Sequence, residues 1–316
     1  MQEQFTEKFL LLIMSKIEVS KISTLTGHRD CVYALTPSQQ ANIFFSADGN
    51  GLVAQWDLEK PEIGDMVAKV QNSVYALHYL EANHQLLVGH NFEGLHLIDL
   101  ASKTELKSIK LTAAQIFDIQ SIGNLILVAC GDGVVIALDF ENWAVRKHLK
   151  ASDKSARVIA VSPDQKTFAV GYSDHQIRIF DTESLDLLHT IAAHENSVFA
   201  LSYSPDGQFL LSGSRDAHLK IWNTADYALH EDIVAHMYAI NSVAFSPDGQ
   251  YFATASMDKS IKVWQTATFK LRKVIDRARH AGHGTSVNKL WWSPYQNYIV
   301  SGSDDRTVSV WSLKFP

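Results

Sequence analysis

Residues Ser204–Asp216 read SPDGQFLLSGSRD, and the pattern returns as SPDGQYFATASMD over Ser246–Asp258. Each copy joins a Pro-Asp-Gly turn to an apolar run, and the stretch His218–Ile221 that follows the first copy alternates polar and apolar side chains. Proline fixes φ and glycine admits positive φ, so the turn reverses the chain tightly, and a period of two is typical of a strand with one buried face. The pattern therefore predicts antiparallel hairpins that are repeated along the chain.

A fixed interval between histidine and tryptophan marks the same repeat. Tryptophan follows histidine by 28 residues in four places, namely His28 and Trp56, His194 and Trp222, His236 and Trp264, and His283 and Trp311. The same register gives three weaker copies, in which the tryptophan position holds Ile98, Leu138 and Phe180, each followed by aspartate. The seven landmarks lie 40 to 47 residues apart, which is the length of a four-stranded propeller blade. The sequence therefore predicts seven blades.

With the motifs Gly27-His28, Trp56-Asp57 and Gly282-His283, the chain resembles the WD-repeat β-propeller family. The resemblance runs from about residue 16 to the C-terminus, although Trp222-Asn223 departs from the motif and blades two to four lack both His and Trp. It implies an all-β fold over residues 16–316, a seven-bladed β-propeller of four-stranded antiparallel blades.

Closure of the ring requires a strand from outside the last repeat. Trp311 lies five residues from the C-terminus, which leaves no room for the fourth strand of blade seven and would expose a sheet edge. The segment Ile17–Leu25 reads IEVSKISTL and lies where family members place the outer strand of the final blade. We predict that it pairs with Val308–Ser312.

Composition restricts the partners and the compartment. A chain of 316 residues can form one large domain without metals or disulfides, and a net charge of -6 gives no general attraction for nucleic acid. Only Cys31 and Cys130 are present, without a CxxC motif, which favours a reducing, cytoplasmic location.

Residues 1–15 are expected to form an N-terminal extension, either a mobile tail or a segment upstream of a natural start at Met14. The apolar run at residues 9–14 is too short to span a bilayer and has no positive flank, so neither a signal peptide nor a membrane contact is expected.

Histidine, hydroxyl and aspartate recur together and raise the question of a catalytic triad. The sets are His194, Ser212, Asp216 and Trp222 in blade five, His236, Thr254, Asp258 and Trp264 in blade six, and His283, Ser301, Asp305 and Trp311 in blade seven; blade one has His28, Ser46 and Trp56, with Asn50 at the aspartate position. Because a catalytic site is normally built once per domain, we interpret these repeated sets as structural. The resemblance implies that each tryptophan NH donates to the hydroxyl, which links through histidine to aspartate.

Other chemical signatures are missing from the sequence. It contains no HExxH, Walker-type loop, GxSxG elbow or EF-hand spacing, and His280 and His283 have no neighbouring cysteine or carboxylate pair that would complete a metal site. No catalytic residue, metal or cofactor is therefore expected.

The resemblance also implies that partners bind the narrow top face, at positions one, three and five after the blade histidine and at the residue before the turn aspartate. The candidate contact residues are Arg29, Tyr33, Gln71, Tyr75, Asn91, Gln115, Phe117, Arg157, Glu195, Phe199, Arg215, Met237, Asn241, Met257, Asn288 and Asp304. Aromatic and arginine side chains among them are typical interface anchors. The alternative is that the aromatic side chains pack only against neighbouring blades.

One interval between repeats is longer than the others. His283 lies 19 positions after Trp264, whereas the next histidine position lies 14 positions after every other landmark. The extra residues fall in the basic segment DRARHA at residues 276–281, which is expected on the top face beside the aromatic anchors. Arg277 and Arg279 are candidate contacts for an acidic partner, and the alternative is a solvated insertion without a role.

These observations favour a non-enzymatic platform that binds protein or peptide partners on its top face and is a monomer outside its complex. One alternative is a propeller enzyme or small-ligand binder that uses the central funnel, which would require carboxylates or histidines to converge at the inner strand ends. Another is an architectural subunit that binds through the blade sides. The candidate contacts are mostly serine, asparagine, glutamine and aromatic residues, which favours the platform.

Overall fold

The computed structural model describes residues 17–315, and this part of the chain forms seven four-stranded antiparallel sheets. The chain enters through β1 (Glu18–Leu25) and then builds the blades in order. The strands of blades one to three are β2 (Val32–Pro37), β3 (Ile43–Asp48), β4 (Leu52–Asp57), β5 (Asp65–Lys69), β6 (Ala76–Leu80), β7 (Gln85–His90), β8 (Gly94–Asp99), β9 (Thr104–Lys110), β10 (Ile116–Ile122), β11 (Leu125–Cys130), β12 (Val134–Asp139) and β13 (Ala144–Lys150).

The remaining blades repeat the same order from the inner to the outer strand. Their strands are β14 (Ala156–Val161), β15 (Thr167–Tyr172), β16 (Gln176–Asp181), β17 (Leu187–Ala192), β18 (Val198–Tyr203), β19 (Phe209–Ser214), β20 (His218–Asn223), β21 (Leu229–Val234), β22 (Ile240–Phe245), β23 (Tyr251–Ser256), β24 (Ile261–Gln265), β25 (Lys270–Ile275), β26 (Val287–Trp292), β27 (Ile299–Ser303) and β28 (Val308–Lys314). One helical turn, α1 (Arg277–His280), separates β25 from β26. The prediction of a seven-bladed propeller is confirmed.

The inner strands meet around a central axis. β2, β6, β10, β14, β18, β22 and β26 each contact the next in this order, and β26 contacts β2, which closes the ring. The hydrophobic core lies between neighbouring blades: Ile221 of blade five packs in one cluster with Ile240, Phe252 and Trp264 of blade six. Each blade is therefore stabilised mainly by its neighbours.

Glycine allows two neighbouring blades to approach closely at the middle of an inner hairpin. A Cβ atom on Gly213 of β19 would lie 2.5 Å from Ile240 Cγ2 of β22, well inside van der Waals contact. Gly213 thus has a packing reason in blade five, because a Cβ atom at this position would force Ile240 or the neighbouring blade to move. Blade six has alanine, Ala255, at the equivalent position.

Strand β1 completes blade seven, as the sequence predicted. It pairs antiparallel with β28, with Lys21 opposite Trp311, Leu25 opposite Val308, and a register shift between Lys21 and Ser23. Because Ile17 packs in the same core cluster as Trp311, this pairing adds side-chain burial to the backbone hydrogen bonds. The expectations for residues 1–15 lie outside the described residues.

The Ser-Pro-Asp-Gly segments form the tight turns expected of them. Ser204 donates its hydroxyl to Asp206 and accepts the backbone NH of Phe209 at 2.9 Å, and Gly207 adopts φ +72°. The turn joins β18 to β19 on the side of the blade opposite the histidine loops.

Candidate functional site

The repeated polar sets form hydrogen-bonded chains inside their blades. In blade six, Trp264 Nε1 donates to Thr254 Oγ1 at 2.9 Å, this hydroxyl lies 2.7 Å from His236 Nε2, and His236 Nδ1 lies 2.8 Å from Asp258 Oδ2. Since the indole NH can only donate, the threonine hydroxyl donates its proton to Nε2, and the proton on Nδ1 goes to the carboxylate. A neutral histidine satisfies every group in the chain.

Blades five and seven contain the same chain. In blade five, Ser212 Oγ accepts a hydrogen bond from Trp222 Nε1 at 2.9 Å, and His194 Nδ1 lies 2.9 Å from Asp216 Oδ2. In blade seven, Ser301 Oγ accepts from Trp311 Nε1 at 2.9 Å, and His283 Nδ1 lies 2.9 Å from Asp305 Oδ2. The hydroxyl to histidine distance is 2.8 Å in both blades.

Burial and hydrogen bonding together set the protonation states of these chains. Burial lowers the pKa of His194 and His236, and the neighbouring aspartate only partly offsets this effect. Burial alone would raise the pKa of Asp216, Asp258 and Asp305, but hydrogen bonds from the paired histidine and from backbone NH groups outweigh it and hold each pKa far below the ordinary range.

In blade one the prediction that Asn50 takes the aspartate place is wrong. Asp48 Oδ2 lies 3.0 Å from His28 Nδ1, and His28 Nε2 reaches the Ser46 hydroxyl that accepts from Trp56. Asp48 is fully buried, whereas the Asn50 side chain is exposed. The spacing from tryptophan pointed to Asn50, and the signal that was overlooked is the aspartate two residues earlier.

Blades without the histidine and tryptophan use other polar pairs. In blade four, Arg178 makes two hydrogen bonds to Asp174, of 3.1 and 2.8 Å, and its guanidinium lies 4.6 Å from the ring centroid of Tyr172. In blade two, His90 contacts His96 at 3.1 Å, and His96 in turn contacts Glu105. Sequence comparison with the motif could not find these pairs because their residue types differ from those of the other blades.

The repeated sets are closed to substrate. Ser46, Ser212, Thr254 and Ser301 have no exposed surface, and each hydroxyl is held between a tryptophan and a histidine. A nucleophile needs access to a reacting carbonyl, so these sets cannot act as triads in this conformation. Their geometry is that of internal supports for the blades.

The position-five residues of all seven blades converge on one cavity at the propeller axis. The cavity has a volume of about 330 Å³ and is lined by Tyr33, Tyr75, Phe117, Arg157, Phe199, Asn241 and Asn288, together with Asp118, Val158 and Lys289 from the next position of their strands. Asp118 and Lys289 were missed by the sequence prediction, although the residue after position five in each blade would have found them.

Aromatic side chains and one arginine form a continuous arc along the cavity wall. The ring centroids of Tyr33 and Tyr75 lie 4.8 Å apart, and those of Tyr75 and Phe117 lie 5.7 Å apart. The Arg157 guanidinium lies 4.0 Å from the Phe117 centroid and 5.4 Å from that of Phe199. These side chains are half-buried, because they pack between neighbouring blades and also face the cavity.

On the other side of the cavity, asparagine residues tie neighbouring blades together. Asn241 Nδ2 donates to Val287 O at 2.9 Å, and Asn288 Nδ2 donates to Val32 O at 3.0 Å and to Asp304 Oδ1 at 2.7 Å. Their hydrogen-bonding capacity toward a partner is correspondingly reduced.

The remaining candidates differ in accessibility. Asn91 is 1% exposed and accepts the Ile116 backbone NH at 2.8 Å, so its prediction as a contact residue is corrected. Gln115 and Asp304 are half-buried, while Arg29, Gln71, Glu195, Arg215, Met237 and Met257 are exposed. Met237 and Met257 expose 81% and 56% of their surface. Exposed apolar side chains of this size are common at interaction surfaces.

The basic insertion lies at the outer edge of the ring. α1 contacts β1, Lys21 donates to Ala281 O, and Arg279 lines a separate surface pocket with residues of β25. Arg279 also pairs with Asp276, and both Arg277 and Arg279 are exposed. The expectation that this segment lies beside the aromatic anchors is therefore not met, because the extra residues pack against the closing strand.

Residues 17–315 hold neither a cluster of metal ligands nor a membrane-spanning helix. No three His, Cys, Asp or Glu side chains in this range are grouped as metal ligands would be. No helix in the same range is long and apolar enough to cross a membrane.

Comparison with known proteins agrees with the architecture. The family model "WD domain, G-beta repeat" matches residues 19–57, 185–223, 229–265 and 276–312, and the model "Anaphase-promoting complex subunit 4 WD40 domain" matches residues 148–201. Protein groucho of Drosophila melanogaster is 26% identical over 170 residues, which is 51% of this chain but only 23% of that protein. Together with the seven closed blades and their repeated polar chains, these matches show that the chain belongs to the WD-repeat β-propeller family.

Proposed function

We propose that this propeller is a non-enzymatic interaction platform that binds a protein or peptide partner on its top face and so assembles a complex. The observation that carries the proposal is the convergence of one residue from every blade on the axial cavity, four of them aromatic and one arginine. Aromatic and arginine side chains offer large, rigid contact area with a polar handle, which is why they dominate binding energy at interfaces.

Exposure around the cavity supports a partner that is larger than a small molecule. Arg29, Glu195 and Met237 directly follow the histidines of blades one, five and six, Arg215 and Met257 directly precede the turn aspartates of blades five and six, and all five are exposed. A partner that inserts a side chain into the cavity would contact this rim at the same time. The charged members of this rim, Arg29, Glu195 and Arg215, give it the polar character that is typical of the rims of protein interfaces.

The alternative of a propeller enzyme that uses the central funnel has less support. Of the carboxylates in the described chain, only Asp118 lines the axial cavity, and it is 6% exposed. Both of its oxygens accept backbone NH groups, of Ile119 at 3.0 Å and Ile159 at 2.8 Å. A carboxylate that is already committed in this way is a poor general base.

The compartment and the oligomeric state are part of the same proposal. Cys31 and Cys130 are both free thiols, which agrees with a reducing, cytoplasmic location. We also propose that the chain is a monomer outside its complex and that neither nucleic acid nor membrane is its partner.

The test is affinity purification followed by mass spectrometry from cells that express the protein. Wild type is compared with a variant that combines Tyr75→Ala, Phe117→Ala, Arg157→Glu and Phe199→Ala and that is first shown to be folded by circular dichroism. A matched control combines Leu188→Ala, Leu229→Ala and Leu271→Ala, three exposed residues of outer strands. We expect specific partners with wild type and the outer-strand control, and their loss with the cavity variant.

Other outcomes would change the proposal. Partners that persist with the cavity variant and disappear with the outer-strand control would show that the blade sides bind, as in the architectural alternative. Absence of protein partners, combined with a small molecule retained by wild type alone, would favour a ligand-binding funnel.

A further inference from the structure

Arg157 is held between aromatic rings without a charged partner. Its guanidinium lies 4.0 Å from the Phe117 ring centroid and 5.4 Å from that of Phe199, which restrains the side chain from both sides. Within residues 17–315 its one hydrogen bond runs from Nε to Ser173 Oγ at 2.9 Å, and no carboxylate forms an ion pair with it. The N–H groups of Nη1 and Nη2 therefore have no acceptor among these residues.

Arg178 of the same blade shows what the fold supplies when an arginine is purely structural. It also lies over an aromatic ring, that of Tyr172, but it makes two hydrogen bonds to Asp174 and a third to Gln176. The paired Arg178 is buried, whereas the unpaired Arg157 faces the axial cavity. The guanidinium nitrogens of Arg157 that lack an acceptor therefore belong to a side chain that lines the cavity.

An unpaired arginine in this position attracts an anion. Burial lowers the pKa of Arg157, Tyr75 acts in the opposite direction, and the neighbouring charge of Arg215 lowers the pKa further. Each of these lowering effects reflects a cost of keeping the charge without a counterion. An acceptor that enters the cavity would remove this cost and gain charge-assisted hydrogen bonds.

The other charged groups of the cavity wall favour an anion with one negative charge. Lys289 and Asp118 both line the cavity; burial raises the pKa of the Asp118 carboxyl, and the charge of Lys289 acts in the opposite direction. Because Lys289 favours the ionised form of Asp118, Arg157 is the cation of the wall that lacks an acidic neighbour. A carboxylate, with one charge and two oxygens spaced for the guanidinium fork, fits better than a dianionic phosphate.

The same cavity offers apolar surface next to the arginine. Tyr33 and Tyr75 contact each other edge to face on the wall beyond Phe117, and both are half-buried. A volume of about 330 Å³ is near the lower end of the range for ligand pockets, ~300 to 1,000 Å³, and suits one or two side chains.

We propose that the axial cavity recognises a peptide segment of a partner in which a carboxylate pairs with Arg157 and an adjacent apolar side chain packs against Tyr33 and Tyr75. The inference rests on the proposed function and adds the chemistry of the partner: an Asp, a Glu or a C-terminal carboxylate beside an apolar residue.

The experiment uses the full chain and a random dodecamer peptide display library as the probe. The best selected peptide is synthesised with its acidic residue and with the matching amide, Asn for Asp or Gln for Glu, and both forms are titrated against wild type and Arg157→Gln by fluorescence anisotropy. We expect the amide form to bind wild type at least about tenfold more weakly, and Arg157→Gln to bind both forms equally. Arg272→Gln, an exposed arginine of the outer strand β25, should behave as wild type.

The possible failures of the two proposals can be told apart. Selected peptides that need Tyr75 and Phe117 but tolerate the amide would overturn the carboxylate assignment and leave the platform standing. The carboxylate assignment would also be overturned if inorganic phosphate displaced the selected peptide at a much lower concentration than acetate does. That result would favour a phosphorylated segment. If no selected peptide depends on Tyr75, Phe117 or Arg157, the top-face platform itself is contradicted. Binding of the acidic and amide peptides to wild type tests the carboxylate even if an arginine variant misfolds.

Discussion

Asp48 accepts a hydrogen bond from His28 at 3.0 Å, in the role that Asp258 has for His236 at 2.8 Å, although it lies two residues nearer the start of its repeat. Its position at the end of β3, rather than within the turn, shows that the blade requires a carboxylate at one point in space and accepts it from either of two positions in the chain. Spacing alone could not distinguish these positions.

This relationship gives a direct comparison between two neighbouring substitutions. Asp48→Ala removes the acceptor of His28 and of the backbone NH groups of Arg29, Asn50 and Leu52, so it should lower the free energy of unfolding by about 1 to 3 kcal/mol. Asn50→Ala alters an exposed side chain and should change the free energy of unfolding by less than about 0.5 kcal/mol. Chemical denaturation of both variants measures the difference, and equal effects would contradict the assignment of Asp48.

Removal of the Thr254 hydroxyl, which lies between Trp264 and His236, should destabilise the propeller although the shape of the side chain hardly changes. Thr254→Val keeps the shape of the side chain but leaves Trp264 Nε1 and His236 Nε2 without their partner, so we expect the free energy of unfolding to fall by about 1 to 3 kcal/mol. Thr182→Val is the matched control, because the Thr182 hydroxyl is buried without a hydrogen-bond partner in the described structure. Its replacement should be neutral or stabilising, and a similar loss in both variants would refute the role of the chain.

Acid should destabilise the propeller through two groups of residues. The folded-state pKa values of His194 and His236 lie below the ordinary 6.5, so the unfolded chain binds protons first and stability falls as the pH drops below about 6.5. The pKa values of Asp216, Asp258 and Asp305 lie below the ordinary 3.8, so the stability that they contribute above this pH is lost on further acidification. Both groups of residues therefore lower the stability of the folded protein as the pH falls.

Urea denaturation at a series of pH values between about 4 and 8 tests this dependence. The denaturation midpoint should be flat near pH ~7 to 8 and fall steadily below about pH 6.5. His236→Gln should weaken the dependence between about pH 6.5 and 5, since it removes one of the histidines whose folded-state pKa lies below the ordinary value. A midpoint that rises on acidification would be incompatible with buried neutral histidines.

The closing strand should be required for a folded monomer. A chain that starts at Thr26 lacks β1, which exposes the edge of β28 and removes Ile17 and Leu25 from two core clusters. We expect this truncation to unfold or to associate through the open edge, whereas the full chain should be a folded monomer. Circular dichroism and light scattering measure both properties. A folded monomer without β1 would contradict the closure.

Much of the architecture could be predicted because its signals lie within one repeat. The alternation of residues such as His218 to Ile221, the Pro-Asp-Gly turns and the 28-residue interval from His194 to Trp222 are local consequences of strand and turn geometry. The missing fourth strand of blade seven follows from counting residues after Trp311. Each of these inferences needs only the neighbours along the chain.

The site could be predicted less completely because its properties depend on side chains from different blades. The offset from each histidine located Tyr75, Phe117 and Arg157, but the offset does not distinguish an exposed residue from Asn91, whose side chain is buried against the next blade. It also could not show that the basic insertion folds back on β1.

The sequence by itself therefore determined the number of blades, one landmark in each blade and the strand that closes the ring, while the family resemblance supplied the candidate contact positions. Only the tertiary structure decided that Asp48 supports His28, that Arg157 lies between Phe117 and Phe199 without a carboxylate, and that Asp118 and Lys289 share its cavity. The physical reason is that strand formation and turns depend on local periodicity, whereas side-chain burial and hydrogen-bond pairing depend on contacts between residues that lie 20 or more positions apart in the chain.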